Sequence, residues 1–207
     1  MYGTSVKIFM ITACLFLMAG CGSRLELPIA KGSVNPATEV TFRGKTYKLL
    51  GTALSVGKRL PAVPLVDAKS MKEIDLSTET GSVLLLSVVT SIDTRVCEQQ
   101  THYLGEKGRD LPPEVKRIVI SRDTPFAQLR FAKEAHLENL QYLSDYKTGA
   151  WGRATGLLLD DLMLLARAVI IVDRGGTVRY IQVVPEITEL PDMERAFTKA
   201  KELAQES

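Results

Sequence analysis

Apolar runs as long as a β-strand mark the core of the chain. Residues 83–89, Val-Leu-Leu-Leu-Ser-Val-Val, predict a central strand covered on both faces, and residues 116–121 predict a second one. Residues 168–173 and 177–184 flank an Arg-Gly-Gly turn and predict a hairpin, and residues 140–145 predict a short strand. Because these runs have little polar character, we expect a sheet buried between two layers.

Helices are predicted between the strands. One begins near Asp93 or Thr94, either of which can cap it, and the next has Thr124 as N-cap and Pro125 at its first position. The last helix begins near Pro191. The second helix is expected to present an apolar face made of Ala127, Phe131 and Ala135.

The order of these elements predicts an α/β fold. Residues 38–42 and 45–50 alternate around a glycine turn and predict an additional β-hairpin at the N-terminal end of the domain. Strands and helices then alternate, and a hairpin and a helix close the chain. This order predicts a central mixed sheet with helices on both faces.

Composition and charge exclude several classes of protein. Of the 207 residues, 45% are apolar and 24% are charged, which rules out a disordered chain. The net charge is only +2 and no basic run occurs, so nucleic-acid binding is not expected. The three cysteines, Cys14, Cys21 and Cys97, are too few and too scattered for a disulfide scaffold or a zinc site.

The N-terminal residues predict an export signal. Lys7 precedes an uncharged apolar stretch, residues 8–23, that is shorter than the roughly 20 residues of a spanning helix. The stretch ends in Leu-Met-Ala-Gly-Cys21, which resembles the cleavage box of bacterial lipoproteins. The resemblance implies a signal peptide over residues 1–20 and a lipid thioether on Cys21. An ordinary signal peptide with an incidental cysteine is the alternative.

This reading predicts three segments and a location. Residues 21–37 contain Gly, Pro and Ser without periodicity and are expected to form a lipidated tether, followed by one domain over residues 38–207. The lipid would anchor the chain to the bacterial cell envelope on the periplasmic side, since buried acyl methylenes hold it at about 0.8 kcal/mol each. Gly22 after the cysteine, in place of Asp, favours the outer membrane.

Cys97 is the candidate reactive residue. It follows a central strand and lies in the first turn of the predicted helix, where unpaired N–H groups and the helix dipole favour a thiolate. Thr94, three residues earlier, can direct its hydroxyl at the sulfur. A buried structural cysteine is the alternative for Cys97, and an N-cap without catalytic role is the alternative for Thr94.

Three motifs give the chain a family resemblance. Ser-Ile-Asp-Thr-Arg-Val-Cys at 91–97, Ser-Arg-Asp-Thr-Pro-Phe-Ala-Gln at 121–128 and Leu-Ala-Arg-Ala-Val at 165–169 resemble, in order, motifs of the thiol peroxidase branch of the peroxiredoxins. The resemblance extends over roughly residues 40–204. It implies a thioredoxin-like fold, a peroxide substrate, a thiol or thioredoxin-like reductant and a homodimer. No cofactor and no metal are expected.

The resemblance also implies roles for three residues. Cys97 would be the peroxidatic cysteine, whose thiolate attacks the O–O bond and becomes a sulfenic acid. Thr94 would hydrogen-bond the sulfur and the peroxide. Arg167 would stabilise the thiolate and the charge that develops as the bond breaks; a surface ion pair is the alternative for Arg167.

Two departures from the family pattern bear on the mechanism. Thr90 stands where the family has a proline that shields the sulfur, so a wetter and looser pocket is expected. The second, resolving cysteine of the branch is missing, and Cys21 would be blocked by lipid. We therefore expect a one-cysteine route with an external reductant. A degenerate redox sensor or binding module remains the main alternative. A cysteine hydrolase would need a histidine near Cys97, and His102 lies five residues away.

Overall fold

The computed structural model describes residues 27–206, so the predicted signal peptide, Cys21 and most of the residues just after it lie outside the described part. No helix of the described residues is both long enough and apolar enough to cross a membrane. The strands are β1 (Glu39–Phe42), β2 (Lys45–Leu50), β3 (Leu65–Asp67), β4 (Glu73–Ile74), β5 (Val83–Val88), β6 (Val115–Ser121), β7 (Gln141–Ser144), β8 (Leu158–Leu159), β9 (Ala168–Val172) and β10 (Val178–Val183). The helices are α1 (Arg95–Glu106), α2 (Pro125–Glu134), α3 (Ala150–Thr155) and α4 (Met193–Gln205).

The main sheet has seven strands in the order β10-β9-β5-β6-β7-β3-β4. Strands β5, β6 and β7 are parallel, whereas β9 runs antiparallel to β5 and β3 antiparallel to β7. A second, three-stranded sheet joins the predicted N-terminal hairpin β1–β2 to β8. The mixed sheet and the additional hairpin are therefore confirmed.

Two apolar cores cover the two faces of the main sheet. Along β5, Leu84, Leu86 and Val88 belong to one core, while Val83 and Leu85 belong to the other, because successive side chains point to opposite faces. Every residue of β5 is completely buried, as the apolar run predicts. Helices α1, α2 and α4 contribute to the second core. Cys97 also belongs to this second core.

The predicted apolar face of α2 packs against the second core. Ala127, Phe131 and Ala135 are partly buried there, while the most buried positions of the helix are Pro125, Gln128 and Ala132. The Gln128 amide donates to the Ser121 hydroxyl, 2.9 Å away, and to the carbonyl of Leu143, 3.0 Å away. A polar side chain whose donor group is hydrogen-bonded can therefore occupy a core position that a hydrophobicity pattern assigns to an apolar residue.

Part of the predicted tether packs against the domain. Ala30 is buried, its amide donates to the carbonyl of Leu190 at 2.8 Å, and its own carbonyl accepts from the Gln182 side chain. Val34 forms an antiparallel bridge with Val183. This part of the predicted tether therefore contacts the domain, and at Val34 it satisfies a backbone group of edge strand β10.

Candidate active site around Cys97

Cys97 lies where β5 passes into α1. Residues 89–94 connect the strand to the helix, and Cys97 is the third residue of the helix, in its first turn as predicted. Its side chain is completely buried, and it is the free cysteine of the described residues. The sulfur thus lies beside the unpaired N–H groups of a helix start, inside the second core.

Two donors point at the sulfur. The Nη2 of Arg167 lies 3.3 Å from Sγ, and the backbone N–H of Ser91 donates to Sγ at 3.5 Å. Arg167 directly precedes β9, which is paired with β5, so the sheet itself brings residues 70 positions apart into contact. The predicted association of Arg167 with Cys97 is therefore present in the structure, and the surface ion pair is not.

The Arg167 guanidinium is fixed by its other nitrogens. Its Nε donates to the carbonyl of Ile187 at 2.9 Å, and its Nη1 donates to Oε1 of Gln100 at 2.7 Å. The side chain is only 2% exposed. None of the ion pairs of residues 27–206 includes Arg167, and both fixed acceptors are neutral. The Cys97 sulfur is the remaining polar atom that the buried guanidinium contacts.

Gln100 is a site residue that the sequence reasoning missed. It lies one helical turn after Cys97, is completely buried, and links Arg167 to the Ser87 hydroxyl, to which its Nε2 donates at 2.8 Å. A polar residue at the third position after the cysteine, on the face that α1 buries, was the available signal. Gln100 holds the guanidinium without touching the sulfur.

Thr94 is the N-cap residue of α1, with extended backbone at φ −132°, but its side chain makes no capping hydrogen bond. Its hydroxyl instead donates to the carbonyl of Ser91, 3.2 Å away, and the residue is exposed. The structure thus places Thr94 in the loop before the cysteine, with its hydroxyl turned to the backbone of that loop. Its contact with sulfur or peroxide stays a prediction.

Thr90 is the second residue of the loop over residues 89–94 that follows β5. Its Oγ1 is buried and has no hydrogen-bond partner among the described residues. A buried hydroxyl without a partner costs about 1–3 kcal/mol relative to a satisfied one. The unpartnered Thr90 hydroxyl is therefore a local defect next to Ser91, whose amide contacts the sulfur.

His102 is turned away from the cysteine. Its Nδ1 lies 2.9 Å from Glu106 and its Nε2 lies 3.9 Å from Glu98, both on the outer face of α1. A cysteine hydrolase requires an imidazole within hydrogen-bond reach of the sulfur, and the groups found there are a guanidinium and an amide. Within residues 27–206, no three His, Cys, Asp or Glu side chains lie together as a metal site.

The fold and the site define a thioredoxin-like protein with a buried cysteine at a strand-to-helix junction, paired with an arginine. The chain belongs to the redoxin family, whose sequence profile matches residues 55–197. A solved structure of a peroxiredoxin-like protein from Aquifex aeolicus has 35% sequence identity and a TM-score of 0.76, covering 82% of this chain and 99% of that one. This neighbour confirms the thioredoxin-like fold.

Curated relatives show which members of the family the chain is similar to. A thiol peroxidase of Halalkalibacterium halodurans is 38% identical over 162 residues, which cover 78% of this chain and 96% of the relative. A thiol peroxidase of Bacillus subtilis is 36% identical over 165 residues, which cover 80% of this chain and 98% of the relative. The similarity therefore extends over nearly the full length of these proteins.

Proposed function

We propose that the protein is a membrane-anchored, thiol-dependent peroxidase in which Cys97 alone carries the redox chemistry. The family makes the chain a peroxiredoxin-type oxidoreductase, with a peroxide as substrate and a thiol as reductant. The observation that carries the assignment to Cys97 is the 3.3 Å contact between its Sγ and Arg167 Nη2, with both side chains buried. A thiolate held by a cation at a helix start is the nucleophile that attack on an O–O bond needs.

The oxidation step uses the groups around the sulfur. The Cys97 thiolate attacks one oxygen of the hydroperoxide, an S–O bond forms, and the O–O bond breaks. The sulfur is oxidised to a sulfenic acid, and the leaving oxygen departs as an alkoxide or hydroxide that takes up a proton. Arg167 is positioned to stabilise negative charge as it passes from sulfur to the leaving oxygen, which is the main contribution of fixed donors in a site closed to water.

Reduction is proposed to need two external thiols. The first thiol displaces the sulfenic hydroxyl as water and forms a mixed disulfide with Cys97. The second thiol attacks the external sulfur of that mixed disulfide. Cys97 is released as a thiolate, and the two external thiols leave as a disulfide. Because Cys97 is completely buried, a thiol reagent can reach it only after the loop over residues 89–94 opens.

Trapping the sulfenic acid tests the proposal. The soluble domain is treated with one equivalent of hydrogen peroxide in the presence of dimedone, and the adduct is located by mass spectrometry. An adduct on Cys97 in the wild type, and peroxide consumption with a thiol reductant that Cys97→Ser abolishes, are expected. If peroxide that oxidises a free thiol leaves Cys97 unmodified, the function is wrong.

The envelope location is the second part of the proposal. It is supported by the residues around Cys21, which resemble a lipoprotein cleavage box. We propose that acyl chains such as palmitate hold the domain to the outer membrane, facing the periplasm. Expression of the full chain with an alkyne fatty acid should label the wild type but not Cys21→Ala. A protein that remains in the soluble fraction without label would overturn the anchor while leaving the peroxidase assignment intact.

A redox sensor without efficient turnover is the second candidate. The observation that favours it is the buried, unpartnered hydroxyl of Thr90 at the position of the family proline. A sensor predicts that Cys97 is oxidised once and then reduced slowly by every small thiol tested, and that Thr90→Pro speeds the oxidation. Sustained consumption of peroxide over many turnovers would exclude it.

A further inference from the structure

The motif at residues 121–128 carries a function that the chemistry at the sulfur does not use. Asp123 lies in the turn between β6 and α2, and its carboxylate reaches across to the loop that precedes Cys97. Oδ1 accepts from the Ser91 hydroxyl at 2.8 Å, and Oδ2 accepts from the backbone N–H of Ile92 at 2.8 Å. We call these two bonds the Asp123 clamp.

The clamp holds the residue that contacts the sulfur. The amide of Ser91 donates to Cys97 Sγ, and the next residue, Ile92, is buried in the second core at 3% exposure. The Ser91 hydroxyl also accepts from the N–H of Asp93 at 3.4 Å. One carboxylate therefore fixes successive residues of the loop, and hydrogen bonds to a charged acceptor are stronger than bonds between neutral groups.

Two other residues of the motif, together with Ser144 of β7, keep Asp123 in place. The Ser144 hydroxyl donates to the Asp123 carbonyl, and the Asp123 N–H donates to the Ser121 hydroxyl at 3.3 Å. Gln128 in turn donates to the same Ser121 hydroxyl at 2.9 Å. Ser121, Gln128 and Ser144 are all buried, so the carboxylate is presented from a rigid support.

We infer that Asp123 is a positioning residue that sets how often the loop before Cys97 opens, and therefore which reagents reach the sulfur. With the clamp closed, Ser91 and Arg167 face Sγ and the sulfur is sealed from bulky molecules. With the clamp broken, residues 89–94 can leave the core and expose the sulfur to a thiol. The functional consequence, a choice between reduction and overoxidation, rests on the proposed peroxidase function.

Alkylation of reduced Cys97 tests the clamp without peroxide. An N-substituted maleimide too bulky for the closed site should modify Asp123→Ala at least about tenfold faster than the wild type, the effect of losing a charge-assisted hydrogen bond. Ser91→Ala keeps the Ile92 bond and should give a smaller increase. Asp123→Asn should lie between these, because its amide oxygen can still accept from Ile92 while its NH₂ group faces the Ser91 hydroxyl.

Asp173→Ala is the matched control. Asp173 also accepts from two backbone amides, Gly175 and Thr177, each at 2.9 Å, but it does so in the β9–β10 turn. Chemical denaturation gives the free energy of unfolding of each variant. Combined with the rate measured for a free cysteine, it gives the alkylation rate that global unfolding alone would allow. The inference is overturned if Asp123→Ala and Asp173→Ala react equally fast, or if alkylation follows global stability. If Asp123→Ala does not fold, Ser91→Ala decides by the same comparison.

A second experiment, with peroxide, connects the Asp123 clamp to the proposed function. In the presence of a reducing thiol, Asp123→Ala should accumulate less sulfinic acid per turnover than the wild type, because a second peroxide needs the closed site and a thiol needs the open one. Equal sulfinic fractions would refute this consequence. Absence of any sulfenic acid in the wild type would instead refute the proposed function, and the alkylation result would still stand.

Discussion

Replacing Gln100 by leucine should slow the oxidation of Cys97, although Gln100 does not contact the sulfur. The Gln100 amide accepts from Arg167 Nη1 at 2.7 Å and donates to the Ser87 hydroxyl at 2.8 Å. Leucine has nearly the volume of glutamine, so the substitution leaves no large cavity. What is lost is the acceptor that orients a guanidinium only 2% exposed.

The size of the effect follows from that burial. A hydrogen bond to a charged group contributes about 1.5–3 kcal/mol, and a buried charged donor without acceptor incurs most of that as a penalty. We expect the free energy of unfolding to fall by about 2 kcal/mol and Tm by about 4–8 °C in a domain of this size. A guanidinium displaced by about 1 Å can cost up to 10²-fold in rate, so Cys97 oxidation should slow by about ten- to a hundredfold.

Stopped-flow measurement of the first oxidation, at one turnover and without reductant, isolates this step. Gln99→Leu, the neighbouring glutamine on the same helix, is the matched control and should keep the wild-type rate. Gln100→Glu should recover stability but not the rate, because its carboxylate still accepts from Arg167 yet competes with the sulfur for the charge of the guanidinium. If Gln100→Leu oxidises as fast as Gln99→Leu, Arg167 does not depend on Gln100 and the reasoning is refuted.

Three further results are expected. Arg167→Lys should oxidise at least about tenfold more slowly, because an ammonium cannot reproduce directed bonds from the guanidinium to Ile187, Gln100 and Sγ; stopped-flow rates check it. Thr90→Val should raise the free energy of unfolding by about 1 kcal/mol in urea by removing an unpartnered buried hydroxyl; a loss would show that the hydroxyl has a partner in solution. Burial would raise the pKa of Glu186, but hydrogen bonds from Thr188 and Thr41 hold that pKa below its ordinary value. Its carboxylate therefore stabilises the fold at neutral pH, and the contribution is lost as pH falls below the ordinary glutamate pKa and through the lowered one; Glu186→Gln should be less stable at pH 7 and lose less on acidification, measured by thermal denaturation.

The sequence predicts those parts of the fold that local pattern determines. The run that forms β5 has no polar face, and the Thr124–Pro125 pair marks the start of α2, where the Thr124 hydroxyl accepts from the amide of Ala127. Strands β3 and β8 escape prediction because two or three residues show no periodicity. Their pairing depends on neighbours that only the folded chain brings close.

The candidate site divides in the same way. Cys97 and Arg167 can be found from motifs, because their residue types and flanking words are distinctive. The roles of Gln100 and Asp123 cannot, although Asp123 lies within a motif, since these roles depend on partners 67 and 32 positions away, Arg167 and Ser91. A glutamine on a helix and an aspartate before a helix are common in proteins. Their contacts form only when the sheet places β5 between β6 and β9.

The burial of Cys97 makes two requirements of the site oppose each other. The proposed thiolate needs Arg167 and the Ser91 amide in place, and the Ser91 contact requires the closed loop. Reduction by an external thiol needs the same loop open, since no other cysteine lies in the described part of the chain. At saturating peroxide, turnover should therefore be limited by opening and reduction, so that kcat depends on the reductant and on the Asp123 clamp. It should not depend on which hydroperoxide is supplied, and a kcat that varies with the peroxide would place the limit at the oxidation step instead.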